Sequence, residues 1–170
     1  MNEKGRVEAF SDGVFAIAIT LLVLEIRVPP VHGRESLWTA LGQEWPSYFA
    51  YVVGFLGVGV TWLNHHTTFS AIARVNRTLL LLNLLLLMTI SVIPWPVELV
   101  ATFLDQGSKA SVAVAVLGLV MSAMSITFTI FWQYVTRHPE LLQDGLDLEA
   151  LRGSRLRFAA GLGIYPLLTL

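Results

Sequence analysis

The chain has 170 residues, of which 55% are hydrophobic and only 14% charged, with a mean hydropathy of +0.66. Soluble domains carry about 25% charged residues, so this composition belongs to a membrane protein. A formal net charge of −1 gives no basis for nucleic-acid binding, and the lack of cysteine excludes disulfides, iron–sulfur ligation and thiol nucleophiles within the chain.

The first long apolar span is 7–26, enclosed by Arg6 and Arg27 with twenty residues between them. At 1.5 Å rise each, that is about 30 Å of helix, the thickness of a hydrocarbon core, and it predicts a helix over about 5–28. Asp12 and Glu25 sit at the ends of its apolar run. A carboxylate at membrane depth costs on the order of 2–3 kcal/mol on insertion scales, so each must face protein or water rather than lipid. Glu8 and Asp12 also fall where the apolar core of a cleavable signal peptide would begin, so the N-terminus is not read as one. Pro29 and Pro30 then end the helix. Residues 31–44 form a polar connection with a short amphipathic piece at 36–41.

Three more windows follow. Residues 45–64 carry no charge and predict a second helix over 45–66; residues 78–97 predict a third over 77–103; residues 110–136 predict a fourth over 109–136. Pro94 and Pro96 kink or end the third near its outer end, and Trp95 suits the interfacial aromatic belt. Gly118, Ser122, Ser125 and Thr127 are small or hydroxylic contact residues on the fourth. The charged segment 137–157 is read as extramembrane, broken by Pro139 and Gly145, with Asp147 a candidate helix cap. A last apolar stretch, 158–170, is shorter than a span and is read as part of an incomplete fifth helix over 153–170, with a sixth missing from the chain. The expected fold is therefore all-α: one polytopic transmembrane helix bundle, its consecutive helices antiparallel neighbours.

With the N-terminus inside, Lys4, Arg6, Arg74, Arg77, Arg137, Arg152, Arg155 and Arg157 fall on the cytoplasmic side and Arg27, Arg34 and Lys109 outside, which accounts for all 11 basic residues. That bias predicts a cytoplasmic N-terminus.

Against the apolar background a few polar residues stand out. Gly13, Ile17, Thr20 and Leu24 are spaced 4, 3 and 4 apart and share one face of the first helix. Such a stripe lines a narrow conduit or forms a packing seam between helices, and spacing alone favours the seam. Arg6, Ser11 and Asp12 form a polar cluster at the start of the same helix: an ion-coordinating gate, or a clasp to neighbouring helices that the adjacent Gly13 lets come close. Trp62, Asn64, His65 and His66 fall at the same depth on the second helix. Adjacent histidines project about 100° apart and lack the i, i+4 spacing of a zinc helix, so no metal site is expected. A clasp with Ser11 and Asp12 fits them better, with pH sensing a further role open to histidine. Signatures of hydrolases, P-loops, zinc proteases and dinucleotide folds are absent, and no enzyme is expected. No TVGYG-like filter is present either.

The stretch Arg6-x-x-x-Phe10-Ser11-Asp12-Gly13, followed by VFAIAITLLVLEI, resembles the signature of the transmembrane protein 175 family, and Trp62-Leu63-Asn64-His65-His66 is similar to its second-helix pattern. These are potassium channels of animal endosomes and lysosomes, with shorter homologues in bacteria and archaea. The resemblance implies a single six-helix repeat assembling as a homotetramer in a prokaryotic plasma (inner) membrane, with four copies of helix 1 around a central pore. It implies Ile17 as the main hydrophobic constriction, Thr20 as a hydroxyl layer and Leu24 as a further apolar layer. It also implies an interhelical network of Arg6, Ser11, Asp12, Trp62, Asn64, His65 and His66. Permeant potassium is the only ligand, no cofactor is implied, and the partners are further copies of the chain, lipid and monovalent cations. Two other readings stay open on the residues: a non-conducting scaffold or accessory subunit, and a proton-coupled carrier using Asp12 with His65 or His66.

Overall fold

The computed structural model describes residues 3–30 and 33–144. Among them, four helical stretches are long and apolar enough to cross a membrane: Glu3–Glu25, Trp45–Ala71, Arg77–Phe103 and Ser108–Arg137. The chain is an all-α membrane bundle. The expected fifth helix over 153–170, and the expected cap at Asp147, lie outside the described residues.

Helix α1 (Glu3–Leu21) carries Glu3 in its first turn, where a carboxylate complements the helix dipole. Its last turn tightens into a 3-10 segment, Leu22–Glu25, and Ile26 turns extended at φ −78° and ψ 105°. The helix thus stops before Pro29 and Pro30, its final N–H bonding three residues back, from Ile26 to Val23 at 3.1 Å. The tightened turn brings Leu22 fully into the core, where α3 and α5 meet it.

A short helix α2 (Leu37–Gln43) follows, its first turn capped by Ser36, and the Tyr48 hydroxyl donates to the Leu41 carbonyl at 3.1 Å to hold it on the next helix. Helix α3 (Trp45–Ala71) begins with Pro46 in its first turn, where proline's missing N–H costs nothing. It runs beyond residue 66, because the Thr67, Thr68 and Ser70 hydroxyls donate to carbonyls of the preceding turn at 2.7–2.8 Å. These polar residues, and the histidines before them, therefore lie inside the helix rather than at its end. Helix α4 (Arg77–Ser91) is capped by Asn76, whose Oδ1 accepts from the Leu79 N–H at 2.9 Å. The chain then breaks at Val92 and Ile93 and resumes as α5 (Pro94–Phe103), so the prolines divide the third span in two. Helix α6 (Ser108–Arg137) is the longest.

Helix α1 packs against α3 and α4, α3 against α5, and both α4 and α5 against α6. Two glycines of α3 permit close approach. A Cβ on Gly54 would stand 2.8 Å from Val97 Cγ2 and 3.3 Å from Leu22 Cδ2, and one on Gly57 2.7 Å from Met121 Cε. At the end of the bundle where α1 begins, the chain after α6 folds back on the α3–α4 connection. Ala73 donates to the Leu141 carbonyl at 2.8 Å and Gln143 to that of Ala71 at 3.0 Å, around an antiparallel bridge between Ile72 and Leu142.

Candidate functional site

Helix α1 has two unlike faces. Ser11, Phe15, Ala18 and Leu22, spaced 4, 3 and 4 apart, are buried against α3, α4 and α5. Arg6, Phe10, Gly13, Ile17, Thr20 and Leu24 lie on roughly the opposite side of the helix and are exposed, Ile17 at 61% and Leu24 at 71%. A Cβ on Gly13 would meet nothing within 4 Å, so the close neighbour expected there is not among the described residues of this chain. Among the described residues the stripe forms no seam: none of them covers that face. Thr20 sits in the middle of that face. Its hydroxyl donates to the Ala16 or Ile17 carbonyl, each 2.9 Å away, which leaves the lone pairs of the exposed oxygen directed away from the helix.

The locked face is held by a polar chain that crosses three helices. The Asn83 side-chain amide, on α4, donates to Ser11 Oγ at 2.9 Å, and Ser11 in turn donates to the Val7 carbonyl at 2.9 Å. Asn83 Oδ1 accepts from His65 Nε2, on α3, at 2.9 Å, which places the imidazole proton on that nitrogen. Ser11, His65 and Asn83 are all at most 2% exposed. The His65 ring is enclosed by Phe15 of α1, Phe69 of α3 and Phe131 of α6, with centroids 5.2, 4.5 and 6.0 Å away. One turn before His65 on α3, Trp62 Nε1 donates to Oδ1 of Asp12, the residue after Ser11, at 2.9 Å, meeting the requirement that this carboxylate face protein. His66 stacks on Trp62 and stands 3.8 Å from Glu8, largely exposed.

Of the residues marked in the sequence, Ser11, Asp12, Trp62 and His65 thus come together, with His66 at the margin. Arg6 is exposed, with no carboxylate within ion-pair distance among the described residues, and Asn64 is half-buried and contributes only its backbone carbonyl, to Thr68. His65 and His66 point into different surroundings, core and surface, and do not converge. Asn83, which joins α1 to α3 through α4, was not marked. Its signal is a lone amide within twenty otherwise uncharged, leucine-rich residues.

A bundle with four helices long and apolar enough to cross a membrane is a polytopic membrane protein, and among its described residues α1 is buried on one side and exposed on the other. The chain belongs to the endosomal/lysosomal potassium channel TMEM175 family, whose sequence profile matches residues 6–94. The family is one of ion channels, not enzymes. A Streptomyces collinus protein named as a potassium channel is 53% identical over 167 residues, covering 98% of this chain and 81% of the relative. The crystal structure of a lysosomal potassium-selective channel TMEM175 homologue from Chamaesiphon minutus superimposes with a TM-score of 0.83 at 36% identity, covering 98% of this chain and 85% of that one. The human endosomal/lysosomal proton channel TMEM175 is 35% identical over 172 residues, which span 96% of this chain and 34% of the human protein.

Proposed function

We propose that the chain is one subunit of a potassium-permeable channel in which four copies set α1 around a central axis. Ile17 then forms the main hydrophobic constriction, with Thr20 a hydroxyl layer and Leu24 a second apolar layer. The observation that carries this reading is the division of α1: no described residue covers the Ile17, Thr20 and Leu24 face, while the opposite face is fixed by Ser11, Phe15 and Leu22. The Streptomyces and Chamaesiphon relatives, both named as potassium channels, supply the permeant ion. On this reading lipid surrounds the assembly and no cofactor takes part, and the bias of basic residues supports a cytoplasmic N-terminus in a prokaryotic plasma membrane.

The physical consequences follow from the side chains. From Ile17 to Leu24, the last turn being 3-10, the stripe covers about 11 Å of axis. A ring of aliphatic side chains offers an ion nothing in place of its hydration water, so a narrow ring blocks by dewetting and conducts when it widens enough to admit ion and water together. Potassium releases or distorts its hydration shell at lower cost than sodium, which gives a preference without a carbonyl cage. The Thr20 oxygens, their protons committed to the helix, present lone pairs to a cation passing between the two apolar layers. Ser11 and His65, joined by Asn83, and the separate Trp62–Asp12 bond hold α1 in register with α3 and α4 while its open face responds to the ion.

Reconstitution into potassium-loaded liposomes tests this. Ile17→Asn wets the narrowest ring and raises potassium flux while lowering the preference over sodium; Leu24→Ala widens the second layer and raises flux less. Unchanged flux and preference in both variants overturn the placement of α1, and no flux in the wild-type protein favours the scaffold reading. The carrier reading requires saturable, pH-driven uptake that is lost in Asp12→Asn. A channel keeps its flux in that variant, because the asparagine Oδ1 still accepts from Trp62.

A further inference from the structure

We propose that the groove between α5 and α6, at the end of the bundle away from the N-terminus, is a binding site for an anionic phospholipid. Leu99 and Phe103 of α5 face Val112 and Ala113 of α6 across a groove of about 240 Å³, with Lys109 its one polar lining residue. Lys109 is held at the rim by two contacts: its Nζ donates to Gln106 Oε1 at 3.2 Å and lies 5.6 Å from the centroid of the Phe103 ring. An ammonium has three donors, so two remain for a ligand.

The lysine has no ion-pair partner among the described residues, although the exposed Asp105 lies in the same connection between α5 and α6. Among the described residues no carboxylate comes within 4.0 Å of Lys109. The first turn of α6 holds no acidic residue, and its N-cap, Gly107, has no side chain to satisfy the helix N-terminus. The positive end of the helix dipole therefore adds to the lysine charge. Lys109 is the second residue of a 30-residue span, which sets it at the depth of lipid headgroups with the apolar groove running from it toward the bilayer interior. One ligand chemistry meets both halves: a phosphate diester on the ammonium and an acyl chain along Leu99, Phe103, Val112 and Ala113. A lysine ammonium makes charge-assisted hydrogen bonds to a phosphate diester, and a net-negative headgroup is favoured because a zwitterionic lipid brings its own ammonium. The site is independent of the pore reading, since it lies on α5 and α6 and uses no residue of α1.

The test uses the whole protein, delipidated in detergent, with phosphatidylglycerol and phosphatidylcholine as probes and native mass spectrometry counting bound lipid. Phosphatidylglycerol binds about fivefold more tightly, the worth of one lysine beside an anionic headgroup. Lys109→Gln abolishes that preference, Lys109→Arg retains it, and Val112→Trp, at an exposed position, fills the groove and weakens phosphatidylglycerol binding. Equal binding of the two lipids overturns the proposal, as does an undiminished preference in Lys109→Gln or unchanged binding in folded Val112→Trp. Displacement of phosphatidylglycerol by glycerol phosphate at the same concentration also overturns it, by showing that a free phosphate rather than a membrane lipid is bound. A cross-link between two copies through Val112→Cys, with no lipid retained, assigns the groove to a second subunit instead.

Discussion

Asn83 is the residue whose loss the structure makes most consequential for α1. Replacement by leucine keeps the volume roughly constant and removes two hydrogen bonds of 2.9 Å, one to Ser11 and one from His65. Ser11 keeps a partner in the Val7 carbonyl, so only its acceptor role is lost. His65 fares worse: its Nδ1 already has no partner, and the variant leaves Nε2 bare as well, in a ring fully enclosed by Phe15, Phe69 and Phe131. Interhelical hydrogen bonds in membranes average about 0.6 kcal/mol, which gives about 1.2 kcal/mol for the pair. An orphaned buried donor costs about 1–3 kcal/mol. Asn83→Leu is therefore expected to destabilise the protein by about 1–3 kcal/mol. Equilibrium unfolding in mixed detergent–dodecyl sulfate micelles measures this, and a cycle with Ser11→Ala measures the coupling. The double variant should lose less than the sum of the two single variants, because both remove the same bond. A change under about 0.3 kcal/mol in Asn83→Leu, or strict additivity in the cycle, refutes the idea that this chain of bonds fixes α1.

Three further outcomes follow from other contacts. Gly54→Ala places a methyl 2.8 Å from the branched Val97 side chain and should cost about 1–3 kcal/mol, whereas Gly57→Ala meets the flexible end of Met121 and should cost less; thermal unfolding in detergent orders the two. Trp62→Phe removes the indole N–H from the Asp12 carboxylate and should cost about 1–2 kcal/mol in the same unfolding assay, with a smaller loss in an Asp12→Asn background if the bond is charge-assisted. The chain has no cysteine, so Ile17→Cys supplies a single thiol. A charged, membrane-impermeant thiol reagent should block flux in that variant and leave Leu119→Cys unaffected, as Leu119 is at least as exposed but on α6.

The spans were legible because each carries about twenty uncharged residues, a pattern that backbone satisfaction in lipid permits only as helix. The polar residues were legible as a group for the converse reason: in so apolar a chain, Ser11, Asp12, Trp62 and His65 had to find one another. Partner choice was not legible. Asn83 joins Ser11 to His65 only because α4 lies against α1 at that height, a fact of packing that no spacing along the chain encodes. Helix ends were hidden for local reasons. Hydroxyls that bond back to the helix carry α3 through Ser70, and α1 tightens at Leu22 because that side chain is drawn between α3 and α5. Gly13 read as a point of close approach, yet no described residue would come within 4 Å of a Cβ there.

That exposure bears on how one helix would serve both stability and, on the proposed reading, passage. Residues of α1 that are buried, Ser11, Phe15, Ala18 and Leu22, spend their contacts on α3, α4 and α5, and their loss acts on folding. Residues of the other face, Gly13, Ile17, Thr20 and Leu24, are exposed among the described residues, so their replacement should cost a single subunit little. Lipid alone would be a poor partner for that face. It includes Arg6 at one end and the Thr20 hydroxyl near the middle, and Gly13 leaves a notch that an acyl chain fills less well than a helix or water does. The two groups lie at the same heights along one rigid rod, so a change in how the locked face seats must move the open face with it. A loosened clasp in Asn83→Leu should thus appear in the flux as well as in unfolding, whereas Ile17→Asn should change flux with little effect on the stability of the subunit. If both variants shift stability and flux in the same proportion, the two faces of α1 are not separate in function, and the open stripe is a contact surface rather than a wall.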